Sequence, residues 1–153
     1  MRRYELTLVA DYHQFHIQDE KVDGDLSDAW TDAAVGRLLA VAPGTVGIRT
    51  VRNVEVPVTI SLLEREPALE ADKFDQVVEC SIAVESGAIV AAGRTDYFPD
   101  AVRIKLSAVS YRVRASFEGL DSVSANGLVG SDHYHLQLWP APLGPVQVHK
   151  RRG

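Results

Sequence analysis

Residues 54–62 read VEVPVTISL, and this stretch decides the fold class. Its apolar residues recur at every second position, and the set is Val54, Val56, Val58, Ile60 and Leu62. Successive side chains of a β-strand point to opposite faces, so the pattern predicts a strand with one face in a hydrophobic core. Thr59 and Ser61 fall on the other face, which is therefore expected to be polar.

The same alternation recurs along the chain on both sides of this stretch. Regular alternation predicts strands at 4–10, 13–17, 102–106, 109–117 and 134–138, and weaker patterns predict strands at 45–51, 88–92 and 146–149. Turn-forming residues separate these segments. Many short alternating strands predict a mainly β fold, an antiparallel two-sheet β-sandwich. One polar face per strand predicts that each sheet is solvated on its outer side.

One segment breaks the alternation. Between residues 27 and 42, Trp30, Ala34 and Leu38 recur at a spacing of four, which is typical of a helix. Ser27 and Thr31 are candidate N-caps, and Pro43-Gly44 is expected to end the helix. The sequence thus predicts one short helix over an open end or edge of the sandwich, with Trp30 as its apolar anchor.

Length and composition predict one globular domain, residues 1–153. The first eleven residues lack the apolar stretch of a signal peptide, and no segment approaches a membrane span, so a cytoplasmic protein is expected. The formal net charge of −5 argues against broad nucleic-acid binding and is compatible with a basic partner.

The chain carries no motif that assigns a catalytic residue. It lacks the G-x-S-x-G elbow, the P-loop and the G-x-G-x-x-G fingerprint. Its one cysteine, Cys80, lies in an alternating apolar run and is interpreted as a small buried side chain rather than a reactive thiol. These absences favour a binding protein over an enzyme, with no cofactor expected.

Four of the five histidines lie in two pairs, which leaves a metal site open as an alternative. His133 and His135 are two apart on a predicted strand, so they share a face and could chelate a divalent metal. His13 and His16 are three apart, so only one of them could join the other pair. The other interpretation is that all four are ordinary hydrogen-bonded strand residues.

Three N-terminal blocks resemble the competence protein J family, small cytosolic inhibitors of the nuclease of bacterial DNA uptake. The blocks are Tyr12-His13-Gln14-Phe15, Ala29-Trp30-Thr31-Asp32-Ala33-Ala34 and the segment GIRTVRN at 47–53. The resemblance extends over residues 4–140 and is sharp in the first 55. It implies a small acidic protein that binds and restrains a DNA nuclease, and it carries over no binding residues.

Acidic residues concentrate in one predicted loop and the start of the predicted helix. The predicted partner-binding residues are Asp19, Glu20, Asp23, Asp25, Asp28, Trp30 and Asp32. A nuclease groove is basic because it holds phosphates, so such a surface could compete for it through charge complementarity. Trp30 either supports this surface from below or anchors the partner. The loop's spacing is not that of an EF-hand, so a solvated loop is favoured over a calcium site.

Two further alternatives stay open on the sequence alone. The chain could be a structural domain without a partner of its own. It could also pair through an edge strand into a homodimer.

Overall fold

The computed structural model describes residues 1–152, which form eleven β-strands and one short α-helix. The elements are β1 (Arg2–Val9), β2 (Gln14–Asp19), α1 (Asp32–Arg37), β3 (Leu39–Ala42), β4 (Thr45–Arg49), β5 (Glu55–Leu62), β6 (Gln76–Ala83), β7 (Ala88–Gly93), β8 (Val102–Lys105), β9 (Ser110–Glu118), β10 (His133–Pro140) and β11 (Gln147–Lys150). Single 3₁₀ turns occur at Asp11–His13, Ala71–Lys73 and Phe98–Asp100.

The strands form two sheets, which confirms the predicted fold class. The larger sheet has the order β1-β5-β10-β9-β6-β11, and the smaller sheet has the order β3-β4-β2-β7-β8. Neighbouring strands are antiparallel except β10 and β5, which run parallel. Because β10 lies between β5 and β9, it joins the two antiparallel halves of the larger sheet.

The hydrophobic core lies between the inner faces of the two sheets. One continuous cluster takes Phe15 and Ile17 from the smaller sheet and Phe117 and Tyr134 from the larger sheet. The Tyr134 ring forms T-shaped contacts with both phenylalanine rings, with centroids 5.9 Å from Phe15 and 5.7 Å from Phe117. Cys80 is buried in the same cluster, which confirms its predicted place, and burial raises the pKa of its thiol to about 12.

The helix is shorter than the sequence predicts. It begins after Thr31, whose hydroxyl accepts a hydrogen bond from the Ala34 amide, and it ends at Leu38, whose φ is 65°. The predicted residues 39–42 instead form β3, which pairs with β4 across the Pro43-Gly44 turn. Strand pairing outweighs the helical spacing there. No helical segment within residues 1–152 has the length and apolar character needed to cross a membrane.

The outer face of the smaller sheet is covered, contrary to the prediction that both outer faces are solvated. Two small residues form a short row on this face, because Ala40 of β3 pairs with Gly47 of β4. The chain between β2 and α1 folds back over the row and buries Leu26 and Ala40 on it. A face lined by such small side chains leaves room for a second layer of chain.

Candidate functional site

The acidic loop, residues 19–32, lies on the outer face of the smaller sheet and is held there by apolar contacts. Leu26 and Trp30 pack in a small cluster with Ala34 and Ala40. A Cβ atom added at Gly47 would lie 2.8 Å from Leu26 Cδ1 and 2.9 Å from Trp30 Cζ2, so glycine permits this close approach. The indole Nε1 of Trp30 also donates a hydrogen bond to a strand residue below it, Gln14, at 3.1 Å. Of the two roles predicted for Trp30, these contacts match the one in which its side chain supports the acidic surface from below.

Asp19 does not belong to the exposed acidic surface, which corrects the predicted site. Its side chain is buried, with 2% relative exposure. Its Oδ1 accepts a hydrogen bond from the Lys21 amide at 2.8 Å, and its Oδ2 accepts one from the Ser86 amide at 2.9 Å. Burial opposes ionisation, but these backbone hydrogen bonds outweigh it and lower the pKa of Asp19. Asp19 therefore fastens the acidic loop to the turn between β6 and β7.

Glu20 is paired within the protein. Its carboxylate lies 2.9 Å from Nε of Arg103 on β8, and both side chains are about one-third exposed. The Arg103 guanidinium also lies over the Phe98 ring, 5.0 Å from its centroid. The sequence alone did not reveal this ion pair, because it does not show that β8 lies beside the acidic loop.

Four predicted carboxylates are exposed: Asp23, Asp25, Asp28 and Asp32. None of them forms an ion pair with another residue in the range 1–152. The Asp25 Oδ1 atom accepts a hydrogen bond from the Ser27 amide at 2.9 Å, and this bond lowers the pKa of Asp25. Asp25 is therefore held in place as an anion.

A polar cleft of about 360 Å³ separates the acidic loop from the turn that follows β7. Asp23 and Asp25 line one side, Asp96 and Arg94 line the other, and His16 is among its lining residues. Burial lowers the pKa of His16, whose Nε2 lies 2.9 Å from Gln18 Oε1. The sequence alone did not reveal Asp96 as a neighbour of the acidic loop, because that depends on β2 pairing with β7.

The structure exposes most of the tip at residues 97–99, in the connection between β7 and β8. Tyr97 has 71% relative exposure, and Pro99 is exposed. Phe98 is half-buried under Arg103 and lines the polar cleft. Tyr97 thus adds an exposed aromatic side chain close to the acidic loop.

The structure separates the two predicted histidine pairs. His13 lies in the 3₁₀ turn before β2, with its Nδ1 3.2 Å from the carbonyl oxygen of Thr50. His16 lies under the acidic loop on the smaller sheet, whereas His133 and His135 lie on the outer face of the larger sheet. The prediction that His13 or His16 completes a site with the other pair is therefore wrong.

Glu118 joins His133 and His135 instead, and sequence reasoning missed it. These three form a group of potential metal-ligating residues, with all three ligating atoms within 4.8 Å of one another. Glu118 lies directly opposite His133 in the pairing of β9 with β10. Glu118 continues the polar face of the predicted strand 109–117, and this was the one signal in the sequence. The sequence does not show which residue of the neighbouring strand Glu118 would face.

The geometry of this group is defined by one carboxylate oxygen. Glu118 Oε1 lies 2.6 Å from His135 Nε2 and 4.0 Å from His133 Nδ1. The two imidazole rings stack, with centroids 4.1 Å apart and an interplanar angle of 15°. Burial lowers the pKa of His133, and the charge of the neighbouring His135 lowers it further.

A chain of hydrogen bonds extends from His133 to a carboxylate on β1. His133 Nε2 lies 2.8 Å from Thr59 Oγ1, and the Thr59 hydroxyl donates to Glu5 Oε2 at 2.8 Å. The hydrogen bond from Thr59, assisted by Arg3, lowers the pKa of Glu5. Glu5 is therefore an anionic acceptor at neutral pH.

A second cleft, of about 430 Å³, adjoins the group on the outer face of the larger sheet. His135 and Glu118 line it, together with Arg3, Lys73 and Phe74. The Phe74 ring packs on His135, with centroids 5.3 Å apart. Arg3 and Lys73 are ion-paired with Glu5 and Glu70, so the cleft presents compensated charges and one aromatic wall beside His135.

A buried ion network fixes another wall of the second cleft. Arg114 donates to Glu79 at 2.9 Å and to the Pro67 carbonyl at 3.0 Å, which ties the loop after β5 to the sheet. Glu79 also accepts from Arg112 at 2.8 Å, and its carboxylate lies 2.9 Å from His149 Nε2. Burial opposes ionisation of Glu79, but the hydrogen bonds from both arginines outweigh it and lower its pKa.

Comparison with known proteins shows a likeness in structure alone. No family model matches the chain, and no curated protein matches it. The crystal structure of ComJ, inhibitor of the DNA degrading activity of NucA, from Bacillus subtilis superposes with a TM-score of 0.72 at 18% identity, covering 92% of this chain and 98% of that one. The structure of crocagin biosynthetic gene J superposes with a TM-score of 0.62 at 23% identity, covering 93% of this chain and 100% of that one. The chain therefore has the fold of ComJ along nearly its whole length, as the resemblance of its N-terminal blocks implied.

Proposed function

We propose that this protein is an inhibitory binding protein that acts in the cytoplasm and binds a basic protein, in the leading case a DNA nuclease, through its acidic loop. The observation that carries the proposal is the set of four exposed carboxylates, Asp23, Asp25, Asp28 and Asp32, without ion-pair partners in the described chain. The likeness in fold to ComJ, an inhibitor of a DNA-degrading activity, supports the same function.

The acidic loop suits binding because it is held in one conformation before a partner arrives. Leu26 and Trp30 hold the loop to the sheet, and Asp19 ties it to the turn between β6 and β7. Thr31 caps α1, where the loop ends. A preorganised surface loses less conformational entropy on binding than a mobile loop does. Fixed carboxylates can therefore complement basic side chains that line a phosphate-binding groove.

Asp25 is the residue expected to contribute most to recognition. It lines the polar cleft beside His16 and also two other clefts between the acidic loop and Pro43. Its hydrogen bond from Ser27 orients the carboxylate. A lysine or arginine side chain of the partner that enters either side of the loop would meet this anion.

The test uses the triple variant Asp23→Lys, Asp25→Lys, Asp28→Lys. A nuclease is first captured from a lysate of the source organism on immobilised wild-type protein, identified, and purified. Its degradation of fluorescently labelled DNA is then measured against increasing amounts of each protein. We expect the wild type to inhibit and the triple variant to bind at least about tenfold more weakly, mainly through slower association.

The matched control is the triple variant Glu55→Lys, Glu64→Lys, Asp72→Lys. These three acids are also exposed but lie outside the acidic loop, and both triple variants add six positive units to the formal net charge of −5. Equal loss of inhibition in the two variants would show an effect of net charge alone and refute the site. Full inhibition by the acidic-loop variant would refute it as well.

A further inference from the structure

The group Glu118, His133 and His135 has the donor set of a transition-metal site. Two imidazole nitrogens and one carboxylate oxygen are ligands that zinc accepts, with metal–ligand distances near 2.0–2.2 Å. The three ligating atoms already lie within 4.8 Å of one another. The group is on the opposite outer face of the sandwich from the acidic loop, so it is independent of the function proposed above.

The hydrogen bonds around His133 leave its Nδ1 atom free to bind a metal ion. The Thr59 hydroxyl donates its proton to Glu5, so its oxygen can only accept from His133 Nε2. In a neutral imidazole the other nitrogen, Nδ1, then carries the lone pair. That atom is the one nearest Glu118, at 4.0 Å.

This arrangement matches the way proteins orient histidine ligands. A ligating histidine usually donates its second N–H to a carboxylate or another acceptor, which fixes the ring and its tautomer. Here Glu5 holds the Thr59 hydroxyl, and Thr59 in turn holds the His133 ring. A purely structural surface histidine does not require a relay that ends on an anionic carboxylate.

We propose that the protein binds one Zn²⁺ ion through Glu118 Oε1, His133 Nδ1 and His135 Nε2. To bind the ion, the two imidazole rings must tilt out of their stacked arrangement. This needs rotation about χ2 of the histidines, which has a broad energy minimum. Glu118 moves easily because its side chain is 43% exposed. When the metal replaces the hydrogen bond between His135 Nε2 and Glu118, the neutral ring carries its one proton on Nδ1 instead.

Three protein ligands leave at least one coordination position for water or an exogenous ligand. His135 and Glu118 line the second cleft, so a small ligand can reach the group from that side.

The experiment is a calorimetric titration of the tag-free full chain with Zn²⁺ after removal of metals by a chelator. We expect saturable binding of one equivalent. Glu118→Gln and His135→Gln should each weaken binding, and Thr59→Val should weaken it by roughly tenfold to a hundredfold through loss of the relay. The controls His16→Gln and His149→Gln, which alter histidines outside the group, should bind zinc like the wild type.

Nitrogen NMR of His133 gives a second readout that does not depend on the folding of variants. Without metal, Nε2 should carry the proton, and Zn²⁺ should shift the Nδ1 resonance. Absence of one-equivalent binding by the wild type, or unchanged affinity in Glu118→Gln, would overturn the proposal. A proton on Nδ1 in the metal-free protein would overturn the assigned ligand atom.

Discussion

Replacing Asp19 with asparagine tests whether this carboxylate holds the acidic loop or contacts a partner. The Asp19 carboxylate accepts hydrogen bonds from the amides of Lys21 and Ser86, one on each oxygen. Asparagine has nearly the same shape but only one acceptor oxygen. Its NH₂ group must therefore face one of the two backbone N–H groups, and that donor loses its partner.

The magnitude follows from the two hydrogen bonds. A hydrogen bond to a charged group stabilises a protein by about 1.5–3 kcal/mol, and a neutral one by about 0.5–1.5 kcal/mol. The substitution removes one charged hydrogen bond and makes the other neutral. We therefore expect the free energy of unfolding of Asp19→Asn to be lower than that of the wild type by about 2–4 kcal/mol at pH 7.

The difference between the two proteins should depend on pH in a defined direction. The folded protein lowers the pKa of Asp19 below its value in the unfolded chain. The stabilisation by its carboxylate is therefore complete above the unfolded pKa and is lost as the pH falls through the lower folded pKa. The difference should stay constant between about pH 7 and 5 and shrink below about pH 4, where the protonated carboxyl resembles the amide.

Urea unfolding followed by tryptophan fluorescence measures this difference at each pH. Asp23→Asn is the matched control, because Asp23 is exposed on the same loop and should change stability by less than about 0.5 kcal/mol. Wild-type stability of Asp19→Asn at pH 7, or a difference that persists undiminished at pH 3, would refute the assigned role. Loss of partner affinity without loss of stability would instead return Asp19 to the binding surface.

Two further predictions concern the layer under the acidic loop and the core. Gly47→Ala should push Leu26 and Trp30 away from the sheet and lower the free energy of unfolding, measured in urea, by about 1–3 kcal/mol. The control Gly36→Ala, whose added Cβ meets no atom within 4 Å, should be neutral or stabilising. Equal effects of the two substitutions would contradict the close contact at Gly47. Cys80 should resist a thiol-specific reagent in the native protein at pH 8 and react fully in urea, because burial raises its pKa to about 12, and rapid native labelling would count against that burial.

Most strands of the larger sheet could be predicted because one of their faces is polar. The stretch 54–62 differs by one residue from β5 (Glu55–Leu62). Two strands of the smaller sheet, β4 and β7, gave weaker patterns because nearly all of their residues are buried. All six residues of β7 are buried, so the alternation that marks a half-exposed strand is absent there.

The helix begins at Thr31, one of its two predicted N-caps, but its predicted length was wrong. Trp30, Ala34 and Leu38 have helical spacing, yet only Ala34 lies within α1. Leu38 adopts a left-handed conformation that turns the chain into β3. The choice between helix and strand at residues 39–42 depends on pairing with β4, a contact that local periodicity does not report.

The candidate sites were predicted in part for a similar reason. Types of residue and spacing along one strand are visible in the sequence, so His133 and His135 could be paired. Glu118 could not be added, since its position depends on the register between β9 and β10. The sequence also does not show which acids are buried. Asp19 was therefore counted with the exposed acids, although its carboxylate accepts a hydrogen bond from the backbone amide of Ser86.

The central position of β10 has a consequence for how the chain folds during synthesis. Residues 14–105 contain every strand of the smaller sheet, so that sheet can assemble while the rest of the chain is still being made. The larger sheet stays divided until β10 has left the ribosome, because β5 and β9 have no direct pairing with each other. Chains released before residue 133 would present two unpaired strand edges, which are templates for aggregation. Premature termination late in the coding sequence should therefore be far more damaging than the short length of missing chain would suggest.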